Sequence, residues 1–272
     1  MTLSSILVLF LTHLGIGLAF TLLFVSREVG VKFFRFNTGL AALLIAGGFA
    51  FRPAAASGPL AAAAVAALVL TELALVVYWA TAGRARIRAG IRRWLLPAAA
   101  LGGLVAIVAQ ALDVPPHLSI PPPVFTILVI ASFLSSAALL GGACGAMSLG
   151  HWFLVVPTLD VRHLQTLARL HIAVMIVRVV VVAAAVFFAV ATWQPGLGPS
   201  FERYVLSSGG IFFWQRVLFG LAGPAVLSYL ILETAKIRST QSATGILYVD
   251  FFTVVVGEVL AKYVLLATAV PV

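Results

Sequence analysis

The sequence predicts an all-α protein, a polytopic bundle of about eight transmembrane helices with both termini on the non-cytoplasmic side. Long apolar segments recur along the chain, and the basic residues are concentrated in alternate loops between them. Only 9% of the 272 residues are charged, whereas a soluble domain has about 25%. Because so few charges cannot cover a water-facing surface, we expect a lipid bilayer to be the solvent of this chain.

Eight apolar segments have the length that a bilayer requires. The predicted spans are 4–25, 36–51, 60–82, 94–112, 122–149, 166–192, 210–233 and 241–268. The first has no basic residues before it, so we expect a retained helix rather than a signal peptide. No connection is long enough for a soluble domain, and we therefore predict one integral membrane domain over residues 1–272.

The loops predict the orientation, because lysine and arginine favour the cytoplasmic side. The loops on one side, with the adjoining start of span six, carry twelve basic residues: Arg27, Lys32, Arg35, Arg84, Arg86, Arg88, Arg92, Arg93, Arg162, Arg169, Lys236 and Arg238. The opposite loops carry only Arg52 and Arg203. We therefore expect a multi-pass protein of the bacterial cytoplasmic (inner) membrane. The net charge of +9 follows this loop pattern, so we do not expect nucleic acid as a partner.

The last span combines high hydrophobicity with four polar residues, Tyr248, Asp250, Glu258 and Lys262. On a helical wheel Tyr248, Glu258 and Lys262 fall within a stripe about 100° wide, and Asp250 lies about 80° from Glu258. Ionised groups in a bilayer usually face the bundle interior and mark function. We expect the other helices to pack around this stripe.

Away from their ends, the predicted spans contain three acidic and three basic residues, which indicates that they pair with one another. These candidate catalytic residues are Glu258, Asp250, Arg178, Lys262, Glu72 and Arg216. Glu258 and Lys262 are four residues apart and can pair directly on one helix. The set is either a structural lock between helices, or a proton path or polar pocket for a quinone or another substrate.

Three histidines are candidates for cofactor binding, together with Tyr248. His13 lies mid-span near Gly15 and Gly17, which would let a flat cofactor or a helix approach closely. His151 and His171 are expected at similar depth on adjacent helices, as haem b ligation by two histidines requires. A histidine could instead bond a quinone carbonyl without any metal. The alternative is an interfacial histidine bonded to backbone or lipid.

Two local features of the sequence affect the predicted shape of spans five and seven. The apolar segment 150–157 is expected to leave span five and lie along the cytoplasmic interface, as a simple interfacial helix or a quinone vestibule. Pro224, inside span seven, can kink its helix.

The sequence lacks several catalytic signatures: a GxSxG elbow, an HExxH zinc motif and a P-loop. The single Cys144 excludes an internal disulfide. We expect a membrane subunit of a respiratory or other electron-transfer complex. It would bind quinone, less readily haem b, and assist proton movement. Because the loops are short, other subunits are expected to carry out the rest of the reaction.

Two alternatives remain open. The chain could be a small transporter or channel that uses the intramembrane charges as its pathway, or a structural or assembly protein. The span count and orientation resemble those of the quinone-binding membrane anchors of respiratory molybdoenzymes. No residue motif accompanies this architectural resemblance, so no family is assigned.

Overall fold

A computed structural model describes residues 3–52, 58–84, 89–117, 119–196 and 200–272. Within these ranges eight helices are long and apolar enough to cross a membrane, and there is no strand. The predicted all-α polytopic bundle is therefore confirmed. Arg86 and Arg88, which the sequence places in a basic loop, lie outside the described residues.

The eight helices occupy most of the described chain. They are α1 Leu3–Thr21, α2 Val31–Ala50, α3 Pro59–Thr81, α4 Ala89–Leu112, α5 Pro122–Val155, α6 Arg162–Ala191, α7 Ser208–Lys236 and α8 Thr240–Thr268. A short helix, Phe201–Val205, precedes α7. Prolines stand in the first turns of α3 and α5, where a missing backbone N–H costs nothing because it would have no partner within the helix.

Helix α5 is longer than the sequence predicted. The apolar segment 150–157 was expected to leave the helix after residue 149, but α5 continues through Val155. Nothing in this segment breaks a helix before Pro157, whose ring disfavours helical backbone in the preceding residue. The proposed interfacial loop is thus mostly the last turn and a half of α5. Phe153, Leu154 and Pro157 of this segment line a cavity of about 510 Å³, and the vestibule alternative stays a prediction.

Helix α7 contains the irregularity that Pro224 predicted, in the form of a π-turn. A regular segment, Ile211–Val217, is followed by the π-turn Leu218–Ala222 and then by Gly223–Lys236. Pro224 has no N–H for the carbonyl four residues earlier, and its ring crowds that carbonyl. A wider turn relieves this conflict, and such turns often occur at functional sites.

The helices form two groups of four that meet along α1, α5 and α8. Helices α1 and α5 approach so closely that a Cβ added to Gly17 would lie 1.8 Å from the carbonyl oxygen of Ala137. A Cβ on Gly141 would meet the backbone of Gly17 at the same distance. Small residues are what such close crossings in membranes require. The crossing fixes His13, one turn away on α1, against α5.

Contacts between loops define two ends of the bundle. At one end, Trp152 Nε1 donates to Val29 O at 3.2 Å and His163 Nε2 lies 3.2 Å from Glu28 Oε2. Arg27 and Arg162 lie directly beside these contacts in the chain, and we therefore call this side the basic end. We call the other side, where α8 ends at Thr268, the opposite end.

Candidate functional site

A buried cluster of charged side chains occupies the middle of the bundle, and Glu258 is its centre. Arg178 donates from Nε to Glu258 Oε1 at 3.0 Å and from Nη2 to Oε2 at 3.1 Å. Arg216 Nη2 donates to Oε1 at 3.0 Å, and the Ser136 hydroxyl donates to Oε2 at 2.5 Å. The cluster therefore joins α5, α6, α7 and α8 through one carboxylate.

Arg178 is fixed on its other side as well. Its Nη1 lies 2.9 Å from Ser132 Oγ and 3.1 Å from Ser132 O. Its Nη2 also donates to the main-chain oxygen of Val272 at 3.2 Å. Buried charged groups are tolerated when they are both paired and hydrogen-bonded, and Arg178 meets both conditions.

Arg216 is fully buried but only partly bonded. Its Nε and Nη1 have no hydrogen-bond partner among the described residues. The π-turn places Gly220 against Gly257 of α8, where a Cβ on Gly257 would lie 2.1 Å from Gly220 Cα. A Cβ on Gly220 would also meet the Arg216 guanidinium. Because Gly220 has no side chain, there is room for the Arg216 guanidinium beside Glu258.

Lys262 has the loosest contact with the carboxylate. Its Nζ lies 3.6 Å from Glu258 Oε2, which agrees with the predicted pairing on one helix, and it donates to Ser136 Oγ at 2.8 Å. A space of about 10 Å³ adjoins Lys262 and Arg178, which is room for roughly one water molecule. Phe133 also lines this space.

A second buried pair lies nearer the basic end. His171 Nε2 is 3.0 Å from Asp250 Oδ2, and both residues are buried. Asp250 is eight residues before Glu258, about 12 Å along α8. His171 Nδ1 and Asp250 Oδ1 have no hydrogen-bond partner among the described residues. The intervening α8 residue Val254 is buried and apolar, so the pair and the central cluster are separate sites.

A cavity of about 280 Å³ opens between α1, α2, α3 and α4 toward the opposite end. Apolar groups form most of its wall, including Val8, Leu9 and Leu68. Its polar lining includes Thr12 and Gln110, and Gln110 Nε2 donates to Thr12 Oγ1 at 3.4 Å. In this cavity a polar edge meets an apolar wall.

His13 lies between this cavity and the charged cluster. The residue is fully buried beside Thr12, with the Gln110 side chain close to its ring and Phe133 in edge contact at 5.0 Å. Both ring nitrogens and Gln110 Oε1 lack a hydrogen-bond partner within 3.5 Å among the described residues. Buried polar atoms are nearly always bonded, so these atoms indicate that a polar ligand or water belongs here.

The other two candidate histidines, His151 and His171, lie at different places in the bundle. His151 Nδ1 lies 2.9 Å from the Tyr248 hydroxyl at the basic end, whereas His171 faces Asp250. Tyr248 and Asp250 project from opposite sides of α8, because two residues turn a helix by about 200°. The two histidines therefore do not share a site in this structure, and haem binding stays a prediction. Tyr248 instead lines a cavity of about 510 Å³ at the basic end.

Glu72 lies apart from the central cluster, on α3. It is half-buried, and its Oε2 has no hydrogen-bond partner among the described residues. Leu68, one turn earlier on the same side of α3, lines the cavity near Gln110. The structure therefore brings together Glu258, Arg178, Arg216 and Lys262, and leaves Glu72 and the pair of Asp250 and His171 at separate places.

Sequence reasoning missed the serines of α5 and the amide of Gln110. Ser132, Ser135 and Ser136 recur at helical spacing in an apolar span, which was a signal for a polar stripe. Gln110 is a partly buried amide near the end of a predicted span, and its position next to His13 could be known only from the packing of α1 on α4.

Comparison of the sequence with known proteins found no relative: no family model matches the chain, and no curated protein matches it. The function must therefore be inferred from the site.

Proposed function

We propose that the chain is a quinone-binding membrane subunit of an electron-transfer assembly, and that the quinone ring occupies the cavity between α1 and α4. The observation that carries the proposal is the set of unbonded polar atoms beside this cavity, on His13 and Gln110. An apolar cavity with a few convergent polar groups is the usual form of a small-molecule site. Its largely apolar wall suits a ligand dissolved in lipid.

The residues fit one polar edge of a quinone ring. The Gln110 amide lines the cavity and can donate to a quinone carbonyl, and Gln110 Oε1 can accept a hydrogen bond from a quinol hydroxyl. His13 does not line the cavity itself and would act from behind Thr12 and Gln110. Apolar side chains such as Leu9 and Leu68 would contact the ring faces. A quinone supplies two-electron redox chemistry when bound. The chain's own residues would orient it, exclude water and exchange protons with it.

The proposed quinone site needs an electron donor. The connections between helices are too short to form an extramembrane domain of this chain. We therefore propose that another subunit docks on the loops and exchanges electrons with the quinone. This proposal places the chain among respiratory or related electron-transfer complexes.

The transport alternative has less support from the geometry. Glu258 is held by three hydrogen-bonding side chains, and the space beside it admits about one water molecule. A transported solute would have to displace these buried contacts. The structural alternative accounts for the cluster itself, but it does not account for the unbonded atoms at the cavity.

Quinone binding to the purified protein in lipid nanodiscs tests the proposal. Decylubiquinone is the probe, and bound quinone is measured after rapid removal of free ligand. We expect Gln110→Leu to weaken binding about tenfold, because it removes hydrogen-bonding groups from the polar edge. Gln165→Leu is the matched control, since Gln165 bonds Ala235 O near the basic end. The proposal is wrong if the wild-type protein binds no quinone or Gln110→Leu binds as the wild type does.

A further inference from the structure

We propose that Lys262 stores a proton for the cavity between α1 and α4, and that His13 carries it there. This inference rests on the proposed quinone site and assigns different roles to the members of the charged cluster. Glu258, Arg178 and Arg216 form a fixed ion-pair framework. Lys262 is the member that releases and regains a proton.

The contacts of Glu258 assign it the fixed role. Both carboxylate oxygens accept hydrogen bonds from buried donors, including two from Arg178. A proton on Glu258 would have to displace one of these charge-assisted bonds. Arginine is effectively never deprotonated in proteins, so Arg178 and Arg216 cannot be the source. Lysine remains as the exchangeable group of the cluster.

The charge of the cluster favours release from Lys262. Three cationic side chains surround one carboxylate, and all four are buried. An excess of positive charge in a low-dielectric interior is costly, and loss of one proton reduces it. The neutral amine that remains still lies within hydrogen-bonding distance of the Ser136 hydroxyl, at 2.8 Å. The cluster can therefore change charge without repacking.

The proposed route from Lys262 to the cavity passes through His13. Lys262 and Phe133 line the same one-water space, and the Phe133 and His13 rings pack at a steep angle with their centroids 5.0 Å apart. Phe133 carries no proton itself, so the proposed transfer needs water that passes beside its ring to His13. The two His13 nitrogens have no other partner among the described residues, so one can accept a proton while the other donates. On the far side of the ring, Gln110 and Thr12 belong to the cavity wall.

The proton balance is one stored proton per quinone reduced. Two electrons come from a redox centre of the partner subunit, and quinol formation takes up two protons. His13 donates one proton to a ring oxygen through water at the Gln110 edge of the cavity, and it receives the Lys262 proton through water as well. The second proton comes from water at the cavity mouth, near Asp113. After quinol leaves, Lys262 regains its proton along the same route.

Electrochemical infrared spectroscopy of the quinone-loaded protein tests this role. Redox mediators replace the partner subunit as electron donor, and the quinone carbonyl bands report reduction after a potential step. We expect Lys262→Met to slow reduction about 100-fold at saturating decylubiquinone, the scale of a lost acid–base group. Lys262→Arg should be equally slow, because arginine keeps the charge but does not release a proton. His13→Phe should also be slow.

The controls separate this inference from the quinone site and from a structural role. Lys236→Met removes an exposed lysine that pairs with Glu233, and it should reduce quinone at the wild-type rate. Saturated binding is measured first in every variant. Absence of binding in the wild type overturns the quinone site and this inference with it. Normal binding with wild-type rates in Lys262→Arg would overturn the proton role alone, since charge would then suffice.

Discussion

Arg178 binds Glu258 through two parallel hydrogen bonds, from Nε to Oε1 at 3.0 Å and from Nη2 to Oε2 at 3.1 Å. Both side chains are buried, and they come from α6 and α8. A bidentate pair fixes the orientation of both helices as well as their distance. With Arg216 bonded to the same carboxylate, Glu258 acts as the anchor of the second half of the bundle.

Replacement of Glu258 by glutamine should strongly destabilise the protein. The change leaves three buried cationic side chains without their counter-ion, and breaking a buried pair in this way costs about 3–5 kcal/mol. The measurement is unfolding in mixed micelles of sodium dodecyl sulfate and a mild detergent. Addition of Lys262→Met should recover part of the loss, because it removes one of the unpaired charges. Glu233→Gln, at an exposed pair with Lys236, should change little.

Wild-type stability in Glu258→Gln would contradict the anchor role of this carboxylate. Loss of stability without recovery in the double variant would show that Lys262 does not share in the charge excess. The two results therefore distinguish the framework from the role assigned to Lys262.

Gly17→Ala should disrupt the crossing of α1 and α5. The new methyl group would lie 1.8 Å from Ala137 O, so the helices would have to separate. We expect a lower melting temperature and weaker quinone binding, because separation moves His13. Gly245→Ala on α8 is the control, since its Cβ would meet no atom within 4 Å. Equal stability of the two variants would mean that the helices are not in close contact at Gly17.

The loop before α5 predicts a pH dependence of stability. Partial burial lowers the pKa of His117 below its ordinary value of 6.5, against an opposing hydrogen bond to the Thr268 main chain. The Ser119 N–H donates to His117 Nδ1 at 3.2 Å, which requires that nitrogen to be unprotonated. The unfolded chain thus binds more protons than the folded one below pH 6.5, and the stability present above that pH is lost as pH falls.

Thermal unfolding measured between about pH 5 and pH 8 should show this loss, and His117→Gln should remove that part of the slope. His163→Gln is a matched histidine control at the basic end, where His163 lies 3.2 Å from Glu28. A slope that is unchanged in His117→Gln would assign the pH dependence to other groups.

Cysteine labelling tests the orientation that the loops predict. The native Cys144 is buried and should give little background. A cysteine at Ser207, before α7, should react with a membrane-impermeant reagent added outside intact cells. A cysteine at Gln241, at the start of α8, should react only after the membrane is opened. The reverse pattern would contradict the distribution of basic residues as an orientation signal.

The fold could be predicted because composition and loop charge act over whole segments. A run of about 20 apolar residues must form a helix in lipid, where every backbone polar group needs a partner within the segment. The contact between Glu258 and Lys262 was predictable for a similar reason, since it is local to one helix. The ends of the helices were harder to predict. Helix α5 extends beyond its predicted end because the thickness of the bilayer does not limit how far a helix can continue outside it.

The site was only partly predictable. The charges of Arg178 and Arg216 marked them as candidates, but their common partner depends on how α6, α7 and α8 pack. The pair of His171 and Asp250 required the same knowledge. The cavity between α1 and α4 is lined mostly by apolar residues that also suit contact with lipid. No local sequence pattern distinguishes apolar residues that line a cavity from those that face lipid. Gln110 therefore became a candidate only when the positions of the helices in the structure were known.

Photo-crosslinking with an azido derivative of ubiquinone tests the central claim most directly. The protein is illuminated in nanodiscs, and labelled peptides are identified by mass spectrometry with and without excess unlabelled quinone. We predict competed labelling on α1 and α4, near Thr12 and Gln110, and its loss in Gln110→Leu. Competed labelling confined to the basic-end cavity, near Phe153 and Tyr248, would contradict the assignment of the quinone site.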